Sequence, residues 1–229
     1  MDTEPAAAPG APAFPGDRAA FQDRLRRALG SPLPGQAAQE AMLPGFRRDL
    51  PDRPPEGEGW RPAAVLILLY PEADGLRFPL IERGSSVGRH RGEMALPGGG
   101  LEPGEVARAA ALRETREELG LSPAVAAAIE VLGALTPLRV PPSGYAIAPF
   151  VGWLPSPPAF DPEPREVAAL VTAPLGLLLD PGARGREERP FLGRPHEVPF
   201  FRLGERKVWG ATAMILAEFA AVLDGCRIR

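Results

Sequence analysis

The sequence predicts an α+β fold in which a mixed β-sheet is flanked by helices. Short apolar runs bounded by turn residues recur from about residue 61 onwards, and such runs are typical of buried strands. Segments with helical periodicity are few and lie between and after these runs, which favours a sheet covered by helices. The sequence contains no internal repeat.

The predicted strands are short apolar segments, namely RPAAVLILLY (61–70), RFPLIER (77–83), VLGALTPLRV (131–140), YAIAPFVGWL (145–154) and EVAALVTAPL (166–175). The segments VPFFRL and KVWG are predicted to form a hairpin around Gly204. Helices are predicted over about 104–119 and over the segment WGATAMILAEFAAVL near the C-terminus.

The 229 residues are predicted to divide into three parts. Residues 1–16 are rich in Ala and Pro and are predicted to be a disordered leader. Residues 17–60 are predicted to contain a short amphipathic helix capped by Asp17, followed by a Pro/Gly-rich linker or surface loop. Residues 61–229 are predicted to form the main domain.

Composition excludes several classes of function. The net charge of −3 argues against a broad nucleic-acid-binding surface, which requires a basic face. Cys226 is the only cysteine, so neither an intrachain disulfide nor a thiolate metal cluster can form. No apolar run approaches the roughly 18 residues of a membrane span, and the N-terminus lacks the features of a secretory signal. We therefore expect a cytoplasmic protein with a small-molecule substrate and neither nucleic-acid nor membrane partners; a homodimer is left open.

The stretch GGLEPGEVARAAALRETREELGL (99–121) carries most of the chemical information. Glu114, Glu117 and Glu118 stand at positions i, i+3 and i+4, which lie on one face of a helix. Their charges repel one another, and a hard divalent cation such as Mg²⁺ or Mn²⁺ compensates this repulsion through oxygen ligands. A cation held in this way can polarise a pyrophosphate and activate a water molecule. The alternative is an ordinary solvated helix face with weak ion pairs.

The same stretch resembles the sequence signature of the Nudix hydrolases. The matching positions are Gly99, Glu105, Arg113-Glu114, Glu117-Glu118 and Gly120-Leu121 at the family's spacing. Thr115 is the one departure, because the family usually has an aliphatic residue there. The resemblance implies a Nudix-type α/β/α sandwich and the hydrolysis of a pyrophosphate bond.

The resemblance also implies roles for individual residues. The catalytic set would be Glu105, Arg113, Glu114, Glu117 and Glu118. Within this set, Glu114, Glu117 and Glu118 would bind the metal ion together with the backbone carbonyl of Gly99. Arg113 would orient a neighbouring glutamate, and Glu105 would support the site.

The residues just upstream resemble the additional motif of the coenzyme A pyrophosphatase subgroup. The matching positions are Arg83, His90, Gly92, Pro97-Gly98-Gly99 and Pro103, whereas Gly84, Leu96, Glu102 and Glu105 depart from that motif. This resemblance implies cleavage of coenzyme A or a derivative into 3′,5′-ADP and 4′-phosphopantetheine. Because that ligand carries a phosphate beyond the scissile bond, Arg83, Arg89, His90 and Arg91 are predicted to bind substrate. The alternatives are exposed loop charges for the two arginines beside His90 and a packed structural role for the histidine.

Several assignments stay open at this point. Glu163 and Glu166 precede a predicted strand and are either general bases or surface acids. Trp209 is interpreted as a core residue rather than a surface that stacks on a base. The rival functions are a Nudix hydrolase for ADP-ribose, dinucleotides or damaged nucleotides, and a catalytically silent nucleotide-binding module.

Overall fold

The computed structural model describes residues 17–55, 57, 59–84 and 92–226, and Arg83 through its backbone alone. The predicted leader at 1–16 lies outside these residues, and so do Arg89, His90 and Arg91. Within the described ranges, no helix is both long and apolar enough to cross a membrane. The three-part division of the chain stays a prediction.

The described residues form five α-helices and eleven strands. The helices are α1 (Arg18–Leu29), α2 (Gly35–Gln39), α3 (Ala107–Glu118), α4 (Pro123–Ala127) and α5 (Gly210–Gly225). The strands are β1 (Arg61–Glu72), β2 (Gly75–Arg83), β3 (Met94–Ala95), β4 (Gly98–Gly100), β5 (Glu130–Ala134), β6 (Leu138–Val140), β7 (Tyr145–Trp153), β8 (Val167–Pro174), β9 (Arg184–Phe191), β10 (Arg194–Leu203) and β11 (Arg206–Trp209). Short 3₁₀ helices occupy Glu40–Met42, Gly45–Asp49, Leu175–Leu179 and Pro181–Ala183.

The main sheet is mixed and has eight strands, with β1 at its centre. Strand β1 pairs in parallel with β7 along nine residues and antiparallel with β2 and β4. Strand β8 extends the sheet beyond β2, and β5 and β6 both pair with β7. Strands β9, β10 and β11 form a separate antiparallel sheet.

Strand β1 separates two hydrophobic cores because successive side chains of a strand point to opposite faces. The even-numbered residues Ala64, Leu66, Leu68 and Tyr70 pack with Ala110, Ala111 and Leu119 from the region of α3. The odd-numbered residues Ile67 and Leu69 pack with buried side chains of α1 and α5, including Phe21, Leu25, Met214 and Phe219. Helices therefore cover both faces of the mixed sheet, which confirms the predicted α/β/α arrangement.

Helix α1 matches its prediction. The Asp17 side chain accepts a hydrogen bond from the backbone N–H of Ala20 and thereby caps the helix. The three residues predicted to form its apolar face are buried, namely Phe21, Leu25 and Leu29. Because these side chains join the core that contains α5, the N-terminal helix packs as part of the body of the molecule.

The predicted strand at 131–140 is interrupted. Strand β5 ends at Ala134 and β6 begins at Leu138, and the backbone N–H of Thr136 between them donates to the carboxylate of Glu218. Glu218 is fully buried on α5 and also accepts a hydrogen bond from Gln39 at 2.8 Å. The break therefore supplies a second donor, besides Gln39, to a buried carboxylate.

Candidate active site

The glycine strand β4 contacts both β1 and α3. Its residues pair antiparallel with Ala63–Val65 of β1, while α3 packs across the same part of β1. The backbone N–H of Gly98 donates to the Glu118 carboxylate at 2.7 Å. The strand and the helix that carries the glutamates are thus joined directly.

Gly99 allows β4 to approach α3 closely. A Cβ atom at this position would lie 2.6 Å from the carboxyl carbon of Glu114, closer than non-bonded atoms tolerate. The absence of a side chain therefore lets the Glu114 carboxylate lie against the backbone of residue 99. The Glu114 carboxylate and the main-chain carbonyl of Gly99 are both hard oxygen donors. Glu114 and Gly99 lie close together in space.

Arg113 connects the acidic side chains of the site. It donates to both carboxylate oxygens of Glu105, at 3.0 and 2.9 Å, and to Glu114 at 2.8 Å. It also reaches Glu117 at 3.4 Å and the carbonyl oxygen of Gly100 at 3.2 Å. These contacts, first those with Glu105 and then those with Glu114, raise the pKa of the guanidinium above its ordinary value. Arg113 thus holds two glutamates in fixed positions.

Helix α3 begins later than predicted. Its predicted start is near Gly104, but Gly104 has a φ of +81° and Val106 is extended, so the helix starts at Ala107. Glu105 therefore lies in the turn before the helix, where its carboxylate accepts from the backbone N–H of Glu102 at 3.0 Å. This position lets the Glu105 carboxylate accept hydrogen bonds from Nε and Nη2 of Arg113.

The acidity of Glu105 gives a testable pH dependence. The hydrogen bonds from Arg113, followed by that from the Glu102 N–H, hold the pKa of the Glu105 carboxyl below its ordinary value. A carboxyl with a lowered pKa in the folded state stabilises the fold above its ordinary pKa. That contribution disappears as the pH falls through the folded-state value.

We expect Glu105→Gln to lower the free energy of unfolding at about pH 7, and the difference from wild type to shrink below about pH 4. Urea unfolding in metal-free buffer at both pH values measures this difference. The matched control is Glu102→Gln, because the Glu102 carboxylate is 69% exposed and lies 4.0 Å from Arg113. A difference that does not change with pH would show that the ion pair adds no stability.

The side chains at this site have the chemistry that a divalent cation requires. Glu114, Glu117, Glu118 and the Gly99 carbonyl offer only oxygen donors, which Mg²⁺ and Mn²⁺ prefer. Among the residues described, no three acidic, histidine or cysteine side chains already form a chelating cluster. Glu118 instead contacts Gly98, and Arg113 bridges two of the other glutamates. The half-exposed Glu117 side chain can turn towards an ion without disturbing the core.

A loop that follows β7 packs against the end of α3. The backbone N–H of Asp161 donates to the carbonyl of Leu119 at 3.1 Å, and Gly120 lies directly against Asp161 with a φ of +61°. The same loop carries Glu163 and Glu166, whose side chains are exposed. The carbonyl of Glu166 accepts from the Gly84 N–H at 2.9 Å. Both predicted bases therefore belong to a loop that contacts α3 and the end of β2.

A cavity of about 610 Å³ opens beside β4. One part of its wall consists of Gly98, Gly99 and Gly100 together with Ala63 and Val65 of β1. Other parts come from distant regions of the chain, namely Phe46 and Arg47 before β1, Tyr145 of β7, and Arg189, Phe191 and Trp209 of the three-stranded sheet. The volume lies within the range of pockets that hold nucleotide-sized ligands.

The cavity corrects one interpretation and adds residues that the sequence analysis missed. Trp209 is not a core residue, because it is half-buried and lines the cavity. Arg47 and Arg189 had no predicted role although both line the cavity. Glu187, Arg189 and Phe191 alternate with exposed residues along β9, but the charged sequence REERPF has no apolar alternation that could have revealed this strand.

The structure does not test the four predicted substrate-binding residues. Arg89, His90 and Arg91 lie outside the described residues, as does the Arg83 side chain. The neighbouring residues that are described, Glu93 and Met94, line the cavity. The substrate-binding roles of the four residues therefore stay predictions.

Comparison with known proteins identifies the family. The family model for the NUDIX domain matches residues 60–187, a range that contains α3 and all the predicted catalytic residues. Nudix hydrolase 15, mitochondrial, of Arabidopsis thaliana is 34% identical over 188 residues, which cover 78% of this chain and 65% of that protein. The chain thus spans less than two thirds of this plant relative, and 55% of Nudix hydrolase 22, chloroplastic, from the same plant.

A bacterial relative is covered almost completely. The uncharacterized Nudix hydrolase NudL of Photorhabdus laumondii is 32% identical over 179 residues, which cover 76% of this chain and 92% of that protein. Among solved structures, the MutT/nudix family protein from Enterococcus faecalis is 20% identical with a TM-score of 0.49, and the alignment covers 92% of this chain and 76% of that one. From the match to the family model and the identity with NudL, we conclude that the chain belongs to the Nudix hydrolase family.

Proposed function

We propose that this Nudix hydrolase cleaves the pyrophosphate of coenzyme A or a derivative, releasing 3′,5′-ADP and 4′-phosphopantetheine. The observation that carries the proposal is the cavity next to β4, whose wall is shared with the strand that contacts Glu114 and Glu118. Glu114, Glu117 and Glu118 do not line the cavity themselves, so a substrate held there would have to extend past β4 to bring its pyrophosphate to them. The upstream resemblance to the coenzyme A pyrophosphatase subgroup supports the choice of substrate.

The acidic residues and Arg113 have different roles in the proposed reaction. Glu114, Glu117 and Glu118, with the Gly99 carbonyl, would hold Mg²⁺ or Mn²⁺, which supplies charge neutralisation and an activated water when bound. Arg113 keeps Glu114 in place by a 2.8 Å hydrogen bond, and Glu105 fixes Arg113 in turn. These contacts preorganise the acidic side chains before substrate arrives.

We assign the general base to Glu163 or Glu166. Both are exposed on the loop that packs against the end of α3. A base in this position takes a proton from the attacking water. Loss of turnover in one of the two variants Glu163→Gln and Glu166→Gln, with normal metal binding, would identify it.

The test of the proposed function is product analysis with the purified protein. The protein is incubated with Mg²⁺ or Mn²⁺ and separately with coenzyme A, ADP-ribose, NADH and an oxidised deoxynucleoside triphosphate. We expect 3′,5′-ADP to appear from coenzyme A much faster than any other substrate is cleaved. Faster cleavage of ADP-ribose, NADH or the triphosphate would replace the substrate while keeping the Nudix reaction. Absence of turnover with bound metal would favour the silent binding module.

We also propose a cytoplasmic location. Coenzyme A is a small soluble cofactor, and the protein would meet it there. The plant relatives are named as mitochondrial and chloroplastic, so location varies among the relatives. Fractionation of cells that express the tagged full-length chain tests the location. Whether the protein forms a homodimer is a separate question, and light scattering on the purified protein measures its oligomeric state.

A further inference from the structure

The three-stranded sheet presents one face to the core and the other to the cavity. Register places Phe200 of β10 opposite Gly185 of β9 and Trp209 of β11, and residues opposite each other share a face. Phe201 and Val208, which point the other way, are buried with α5. On the opposite face, Arg189, Phe191 and Trp209 line the cavity.

That face holds a paired cation and aromatic ring. The Arg189 guanidinium lies 4.2 Å from the centroid of the Trp209 ring, and both side chains line the cavity. Glu187 fixes the guanidinium through a 2.7 Å hydrogen bond and also pairs with Lys207. A planar guanidinium on an indole forms a flat surface of the kind that stacks on nucleobases.

Arg47 lies on the wall formed by the N-terminal segment. It is in the 3₁₀ helix Gly45–Asp49, which is anchored where Phe46 stacks on Phe191 with 4.4 Å between ring centroids. Its guanidinium contacts the sulfur of Met214 at 3.1 Å and the carbonyl of Arg139 at 2.5 Å. Neither of these partners carries a negative charge.

The surroundings of Arg47 leave its charge uncompensated at close range. Among the described residues, Arg47 forms no salt bridge. Asp52 is close enough to interact electrostatically with Arg47 but forms its ion pair with Arg139, at 3.3 Å. Burial lowers the pKa of the Arg47 guanidinium, and the charge of Asp52 opposes this effect. A partly buried guanidinium that has no carboxylate partner is stabilised when an anionic ligand binds next to it.

We propose that Arg47, Arg189 and Trp209 form the specificity wall of the cavity and bind the non-reacting nucleotide end of the substrate. The base stacks on the Arg189–Trp209 pair, and Arg47 binds a phosphate outside the scissile pyrophosphate. In the substrate proposed above, that group is the 3′-phosphate of the adenosine. This assignment rests on the proposed function for the identity of the nucleotide, but its test does not depend on turnover.

The test uses titration calorimetry without metal, with 3′,5′-ADP and 5′-AMP as the two probes. These ligands share the base, the ribose and the 5′-phosphate and differ only in the 3′-phosphate. We expect wild-type protein to bind 3′,5′-ADP about tenfold to a hundredfold more tightly than 5′-AMP, as a charge-assisted contact supplies. Equal affinities in wild type would overturn the role of Arg47 without any variant.

Two variants separate the contacts of the wall. Arg47→Gln is expected to abolish the preference for 3′,5′-ADP while leaving 5′-AMP binding unchanged. Arg48→Gln is the matched control, because Arg48 is the exposed neighbour and does not line the cavity. Trp209→Leu is expected to weaken both ligands by the same factor, about fivefold to a hundredfold. A preference that persists in Arg47→Gln, or unchanged binding in Trp209→Leu, would overturn the corresponding contact.

The result is distinguishable from failure of the proposed function. If coenzyme A is not hydrolysed but the Arg47-dependent preference is present, the wall is supported and the proposed reaction is wrong. If coenzyme A is hydrolysed but the preference is absent, the wall is overturned and the reaction stands.

Discussion

Replacement of Glu117 by glutamine is expected to lower kcat by at least about a hundredfold while leaving the fold intact. The substitution keeps the size of the side chain and removes its charge, which the proposed metal site requires. The Glu117 side chain is 44% exposed, and its contacts with Arg113 and Arg116 are surface ion pairs at 3.4 and 3.1 Å. Such pairs contribute little to folding, so the melting temperature should stay close to wild type.

Three measurements test this expectation: kcat at saturating Mg²⁺, the affinity for Mn²⁺ and the melting temperature. Glu188→Gln is the matched control, because Glu188 is an exposed glutamate on β9 that is outside the set of cavity-lining residues. The expected pattern is weakened metal binding and turnover in Glu117→Gln alone. Near-normal turnover in Glu117→Gln would contradict the assigned metal site.

Replacement of Gly120 by alanine is expected to lower the free energy of unfolding by roughly 2–4 kcal/mol. Gly120 ends α3 with a φ of +61°, a conformation that strains residues with a side chain. A Cβ atom there would lie 1.7 Å from the backbone oxygen of Asp161, so the loop that carries Glu163 and Glu166 would have to move. We expect turnover to fall as well, because this loop contacts the helix of the metal site.

Gly204→Ala separates the two causes. Gly204 has a φ of +59°, but no atom lies within 4 Å of the position that a Cβ atom would occupy, so this variant reports backbone strain alone. Urea unfolding of both variants measures the difference, which is expected to be larger for Gly120→Ala. Equal losses of stability would mean that the close approach of the loop adds no cost.

The sequence predicted those parts of the fold that depend on local patterns. Asp17 and the four-residue spacing of Phe21, Leu25 and Leu29 predict α1 from local sequence alone. The apolar run from Arg61 specifies the central strand, because a strand buried on both faces needs no alternation. The three glutamates of α3 were placed on one face by helix geometry, and the structure brings Arg113 among them.

The remaining features depend on contacts between distant segments. The gap between β5 and β6 follows from the bond between the Thr136 N–H and Glu218, which lies 82 residues away. Strand β9 was missed because four of its eight residues are exposed, and its charged sequence resembles a loop. Trp209 was misassigned because helical and strand periods show that a residue lies on a face but do not show whether that face borders a core or a cavity.

The origin of the cavity walls bears on how such an enzyme can change its substrate. The glycine strand and the acidic helix belong to the range shared with the family, whereas Arg47, Arg189 and Trp209 all fall outside residues 60–187. Mutations in these flanking segments can alter the ligand without touching the groups that face the bond to be cleaved.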